Sequence, residues 1–126
     1  MCLLTVSANN FRDNRANGIG GAVYYNLVSP SGLLENSYSG NNASYGPNYG
    51  SYPFKLALFS APNVSSTDLT SLVSGSAITQ TIEIGIYDQE GQLVTTDSSS
   101  VCWLTSLDHN LQISGNNKQV AKTGIY

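Results

Sequence analysis

One stretch of this sequence occurs twice. Phe11, Asn14, Ala16 and the glycine pair Gly20 and Gly21 return as Tyr38, Asn41, Ala43 and Gly46, and the aromatic, Asn and Ala positions each recur at a spacing of 27 residues. A fixed period in the twenties, with Asn and Gly at matching places, is the mark of a solenoid in which each repeat is one coil. Two coils cannot enclose a solenoid core, so the chain reads as a piece of something larger.

Residues 1–53 carry the repeat. Short β-prone pieces, Leu3 to Val6 and Ala22 to Tyr25, alternate with Asn/Gly/Ser turns, and nothing there shows helical periodicity. In a parallel β-helix the strands of successive coils stack about 4.8 Å apart, so equivalent side chains form ladders through the molecule. Phe11 over Tyr38 then makes an aromatic stack. Asn14 over Asn41 makes an amide ladder, each side chain satisfying backbone groups at a corner. Gly20 and Gly21 can take a positive φ at a tight corner without steric cost.

The character changes near Ser51-Tyr52-Pro53, where a proline that cannot donate to a ladder suits a strand start or a domain boundary. A second unit is expected over residues 54–126. Phe54, Leu56 and Leu58 alternate with Lys55, Ala57 and Phe59, and a Ser/Thr-rich loop runs from Ala61 to Ser76. Ile78, Ile82, Ile84 and Ile86 share one face against Thr79, Thr81, Glu83, Gly85 and Tyr87, a period of two that predicts a half-buried antiparallel strand. Asp88-Gln89-Glu90-Gly91 is a hairpin loop with Gly91 as its left-handed residue, and the chain returns through Gln92 to Thr96. Further strands are expected at Val101 to Leu104, Leu111 to Ile113 and Gln119 to Tyr126, a spacing that suggests a β-sandwich with Trp103 in its core.

Only 10% of residues are charged, while Ser, Asn, Thr and Gly abound, so solubility rests on hydroxyl and amide groups. That balance is common in extracellular β-proteins. The five basic residues, Arg12, Arg15, Lys55, Lys118 and Lys122, do not cluster, which disfavours a phosphate-tracking surface and therefore nucleic acid. No apolar run has the length to cross a bilayer. Met1 to Val6 is too short for a signal-peptide core, and the signal of a secreted parent would lie upstream. The sequons at Asn42 and Asn63 permit N-glycosylation outside the cell. Cys2 and Cys102 are far apart in sequence, and burial as small apolar groups is the commoner fate of such a pair than a disulfide.

Two likenesses add to this. Asn10-Phe11-Arg12-Asp13-Asn14-Arg15-Ala16 with Gly20-Gly21-Ala22-Val23 resembles the FxxN…GGA repeat of polymorphic outer-membrane-type proteins, which belong to the pectin-lyase-like right-handed parallel β-helix class. The second copy, from Tyr38 through Asn41-Asn42-Ala43-Ser44-Tyr45-Gly46 to Pro53, looks like the closing coil of very large surface proteins of ciliated protists, with Tyr38 for Phe and no second Gly after Gly46. Residues 84–94, Ser100 to Leu104, Leu111 to Gly115 and Ala121 to Tyr126 resemble invasin-like or filamin-like immunoglobulin-type modules. The resemblance implies terminal β-helix coils followed by a partial immunoglobulin-like sandwich, truncated at its C-terminus, in a structural or adhesive protein.

Catalytic chemistry finds little footing. His109 is the only histidine and has no Gly-x-Ser-x-Gly elbow to serve, so it reads as a loop residue. Lyase chemistry on an acidic sugar needs calcium carboxylates and a poised base, and Arg12, Asp13 and Arg15 supply a single carboxylate. Asp88, Glu90 and Asp97 lack a second liganding stretch and read as acids that keep a turn soluble. Tyr24, Tyr25, Tyr45, Tyr49 and Tyr52 crowd the repeat region, and exposed Tyr beside Asn and Ser suits contact with carbohydrate or protein. The expectation is a non-catalytic structural or adhesive segment of a large extracellular or cell-surface glycoprotein, without cofactor or metal. Its partners are the rest of a longer polypeptide and possible glycans or surface proteins; the alternative is a carbohydrate-binding module or the remnant of a polysaccharide lyase or hydrolase.

Overall fold

The chain is all-β. The computed structural model describes residues 3–60, 73–78 and 81–126. Among these residues eight short strands run in the order β1 (Asn10–Arg12), β2 (Val23–Tyr25), β3 (Ser37–Ser39), β4 (Tyr49–Ser51), β5 (Lys55–Leu58), β6 (Ile84–Tyr87), β7 (Val101–Trp103) and β8 (Lys118–Val120). The one helical feature among the described residues is a single 3-10 turn, Leu33–Glu35, in a region where the sequence shows no helical period.

The repeat pairs with itself in parallel. β1 lies on β3 with Phe11 opposite Tyr38, a separation of 27 residues, and β2 lies on β4 with Tyr24 opposite Gly50, a separation of 26. Isolated bridges continue the ladder at Thr5 to Ser31, Arg15 to Asn42 and Ile19 to Tyr45. The separation rises from 26 at Thr5 to 27 at Asn10 because the second copy holds one extra residue where the 3-10 turn sits. It returns to 26 because Ala16-Asn17-Gly18 faces the shorter Ala43-Ser44.

Side chains hold this register. The Phe11 and Tyr38 rings stack with centroids 5.4 Å apart and planes 12° from parallel. The backbone N–H and side-chain amide of Asn14 both donate to Asn41 Oδ1, at 3.0 and 2.9 Å, and Asn41 Nδ2 donates to the Phe11 carbonyl at 3.1 Å. Asn9 and Asn36 repeat the arrangement five residues earlier, with Asn9 N–H donating to Asn36 Oδ1 at 2.9 Å. The corners match as well. Gly20 and Gly46 share a left-handed φ, +64° and +60°. Asp13 (φ 54°) and Gly40 (φ +66°) form a second matched pair, and Asp rather than a branched residue tolerates that conformation.

Pairing turns antiparallel beyond Pro53. β5 runs against β6 with Leu56 opposite Ile86. The other edge of β6 is taken by the chain's end: Ile84 and Tyr126 exchange backbone bonds at 3.1 and 2.9 Å, and Ile86 N–H donates to Gly124 at 2.9 Å. With neighbours on both edges, β6 buries Gly85, Ile86 and Tyr87 in succession. The expected half-buried strand is therefore shorter and buried on both faces; Ile78 is exposed, Ile82 lies outside any strand, and Thr79 and Gln80 lie outside the described residues. The hairpin loop closes as expected, Asp88 N–H donating to Gln92 at 3.0 Å and Gly91 at φ +75°, but its return limb is one bridge from Tyr87 to Leu93.

The apolar cluster joins the two halves. Tyr45, Ile86 and Val94 are buried together, with Ile19 and Tyr126 packed against them. Position 53 marks a change of pairing, and the core runs across it. β7 and β8 form a separate antiparallel ribbon, with Trp103 opposite Lys118. Trp103 is 60% exposed, so it is no core residue; no second layer covers the ribbon among the described residues, and its polar partner is Lys118 Nζ, 5.0 Å above the ring. Leu111 to Ile113 forms no strand, since Leu111 N–H closes a turn onto the Asp108 carbonyl at 3.1 Å.

Candidate functional site

The densest polar construction among the described residues lies where the 88–92 hairpin meets β4. Asp88 is fully buried and accepts four hydrogen bonds: Oδ1 from Glu90 N–H at 3.0 Å and Gln92 N–H at 2.8 Å, Oδ2 from Ser51 N–H at 3.3 Å and Gln92 Nε2 at 3.1 Å. The first two are the Asx-type bonds that an Asp at the head of a tight turn makes to its own backbone. The other two reach across to the repeat. Gln92 Nε2 also donates to the Tyr49 carbonyl at 2.9 Å, and Gln89 N–H donates to Ser51 Oγ at 3.0 Å.

The outer ring of this junction is tyrosine. Tyr45 Oη donates to the Ser51 carbonyl, and Tyr25 Oη donates to Glu90 Oε1, which also accepts from Ser29 Oγ at 3.2 Å. Burial first, and the Asp88 charge second, push the Tyr45 phenol up to about 12. Burial and then the Glu90 carboxylate raise Tyr25. These groups are neutral donors at physiological pH, which is what accepting carbonyl and carboxylate partners require.

Two surface features stand apart from the junction. Tyr24 and Tyr52 meet edge to face with centroids 5.7 Å apart, both about half exposed, and Phe54, two residues on from Tyr52, is 66% exposed. An open cleft of about 630 Å³ separates β6 from the β7–β8 ribbon; Ile82, Ile84, Trp103, Lys118 and Tyr126 line it, with the free thiol of Cys102.

The residues singled out in the sequence fall as follows. Phe11, Tyr38, Asn14 and Asn41 come together in the parallel ladder. Asn42 is exposed at the bridge to Arg15, while Asn63 and Cys2 lie outside the described residues. Arg12, Asp13, Arg15 and His109 are exposed and scattered. Asp88, Glu90 and Asp97 do not converge as a shared cation site. Asp88 is saturated by donors rather than solvent-facing, Glu90 holds Tyr25, and Asp97 Oδ1 accepts from Ser99 and Ser100 N–H at 3.1 and 3.0 Å. Desolvation works to raise the Asp97 carboxyl, but the Ser100 and Ser99 donors outweigh it and hold it below the usual range. No group of three His, Cys, Asp or Glu among the described residues could hold a metal ion. The role of Asp88 and Gln92 was missed from sequence; an Asp opening a turn that ends in Gly-Gln was the available signal, and its long-range partners were not. Comparison with protein-family models, with curated proteins and with solved structures returns no match to this chain.

Proposed function

We propose that this chain is a non-catalytic structural or adhesive segment of a large extracellular or cell-surface protein. Residues 1–53 would be terminal coils of a right-handed parallel β-helix, and residues 54–126 an immunoglobulin-like module docked beneath them. The observation that carries this reading is the matched ladder. Aromatic, amide and left-handed corner positions coincide at separations of 26 and 27 residues, an arrangement that transmits length rather than performs chemistry. The polar groups that do converge, at Asp88, are consumed by internal hydrogen bonds.

A spacer grows by one rung per repeat. Duplicating residues 9–35 in place adds one coil of 27 residues. Small-angle scattering should show the long dimension growing by about 5 Å, the inter-strand spacing. Growth by tens of ångströms, as a flexible insert gives, would refute the coil reading.

A second reading rests on the half-exposed Tyr24–Tyr52 pair, which is suitable chemistry for the CH faces of a neutral sugar. Glycan-array binding that vanishes in Tyr24→Ala and Tyr52→Ala would favour a carbohydrate-binding module over a bare spacer.

A further inference from the structure

A repeat that pairs with itself also has edges complementary to another copy of itself. In β1, Asn9 C=O accepts from Ser37 N–H at 2.9 Å and Asp13 N–H donates to Ser39 at 3.0 Å, so odd-numbered residues face β3 and Asn10 and Arg12 turn away. In β2, Val23 N–H donates to the Asn48 carbonyl at 3.0 Å, so Val23 and Tyr25 face β4 and Tyr24 turns away. On the far side, Tyr38 of β3 occupies the place that Phe11 holds in β1, and Tyr49 and Ser51 of β4 the places of Val23 and Tyr25. A second copy set with its β1 and β2 beneath β3 and β4 would therefore repeat the internal register on both ladders at once. Such a contact is head-to-tail and does not close, so it propagates.

The β4 edge is already occupied. The Tyr49 carbonyl accepts from Gln92 Nε2, Ser51 N–H donates to Asp88 Oδ2, and the Ser51 carbonyl accepts from Tyr45 Oη. These are groups that a next strand would use, and side chains take them in place of backbone. We infer that the 88–92 hairpin is a built-in stop: its Asp88 and Gln92 side chains mimic a further strand on β4 and conceal a latent self-association edge whose partner is the β1–β2 edge of a second copy. The inference needs the parallel ladders and no ligand, so an adhesive role can fail without touching it.

The test begins on the unaltered chain, by amide hydrogen exchange. Ser51 N–H should be protected to the level of Val23 N–H, while Arg12 and Tyr24 N–H, which point away from β3 and β4 and have no partner among the described residues, exchange at least tenfold faster. Equal exchange at Ser51 and Arg12 overturns the inference, because the edge is then not sealed. Sedimentation velocity of the Asp88→Asn/Gln92→Ala double variant should show concentration-dependent association where the parent is monomeric. Adding Arg12→Pro to the same chain removes a donor from the far edge of β1 and should restore the monomer. A double variant that stays monomeric with its ladder amides protected, or association that survives Arg12→Pro, overturns the inference. If the double variant loses ladder protection altogether, the single Gln92→Ala change and the exchange comparison in the parent decide it.

Discussion

Replacing Asp88 by Ala is the sharpest perturbation the structure offers. The carboxylate is fully buried and receives four donors, of which Ser51 N–H belongs to a residue that is itself fully buried. Stranding that N–H without water costs about 1–3 kcal/mol. The Glu90 and Gln92 N–H groups, at 3.0 and 2.8 Å, are only partly buried and can rehydrate. Each therefore costs nearer the net value of a hydrogen bond, about 0.5–1.5 kcal/mol. Gln92 keeps its bond to Tyr49, so no separate loss is counted for it. The total is about 2–6 kcal/mol, a large share of the roughly 5–15 kcal/mol available to a domain. Urea unfolding followed by tyrosine fluorescence should give a lower midpoint that, multiplied by an unchanged slope, equals a loss of that size. Asp88→Asn keeps the Oδ1 acceptor but sets an NH2 against the Ser51 and Gln92 donors, and should fall between the two. It also removes the charge that helps hold Tyr45 near 12, so the Tyr45 titration should move down while burial keeps it above its ordinary value. A loss under about 1 kcal/mol in Asp88→Ala would refute the claim that this carboxylate pins the hairpin to the repeat.

Alkaline stability follows from Tyr45: its folded value, about 12, lies above its unfolded value of 10.0, so the stabilisation is complete below pH 10 and is lost as pH rises toward 12. Spectrophotometric titration with parallel melts should show unfolding coupled to the last phenol to ionise. Asn41→Ala should cost about 2 kcal/mol, because Asn41 Oδ1 serves two Asn14 donors and its amide serves Phe11; Asn14→Ala, which leaves only the Asn41 acceptor short, should cost about half as much in the same urea assay. Gly21→Ala would place a methyl 2.1 Å from the Pro47 carbonyl oxygen and 2.8 Å from that of Asn42, and should destabilise by about 3 kcal/mol in calorimetry. Trp103→Ala should cost at most about 1 kcal/mol, since the exposed ring offers little beyond its contact with Lys118.

The parallel ladder was legible because its information is local and repeated. Phe11 and Tyr38, or Asn14 and Asn41, announce their partnership by identity of chemistry at one spacing, and a parallel stack places equals on equals. The slip between 26 and 27 was less visible, because a one-residue difference at Ala43-Ser44 is small against a period defined by few positions. The 3-10 turn at Leu33–Glu35 had no periodic signal to give: three residues are shorter than one helical repeat. What fixes it is tertiary, with Leu33 buried and its carbonyl accepting from Tyr38 Oη at 2.9 Å.

The second half shows why alternation alone misleads. Ile82, Ile84 and Ile86 imply one buried face, yet Gly85 and Tyr87 are buried as well, because β5, the 124–126 segment and the hairpin enclose β6 from several sides. Trp103 and Leu111 have the composition of a core, but a side chain is buried only where another layer arrives to cover it, and nothing in a short apolar run encodes the position of that layer. The same reasoning explains Asp88. As a turn residue it reads as solvated, and it is buried because the hairpin it heads lands on an open strand edge whose N–H and C=O groups need partners. A charge is tolerated there because donors surround it on both oxygens. The two kinds of β-structure thus meet at one junction: the repeat supplies an unfinished edge, and the hairpin answers it with side chains.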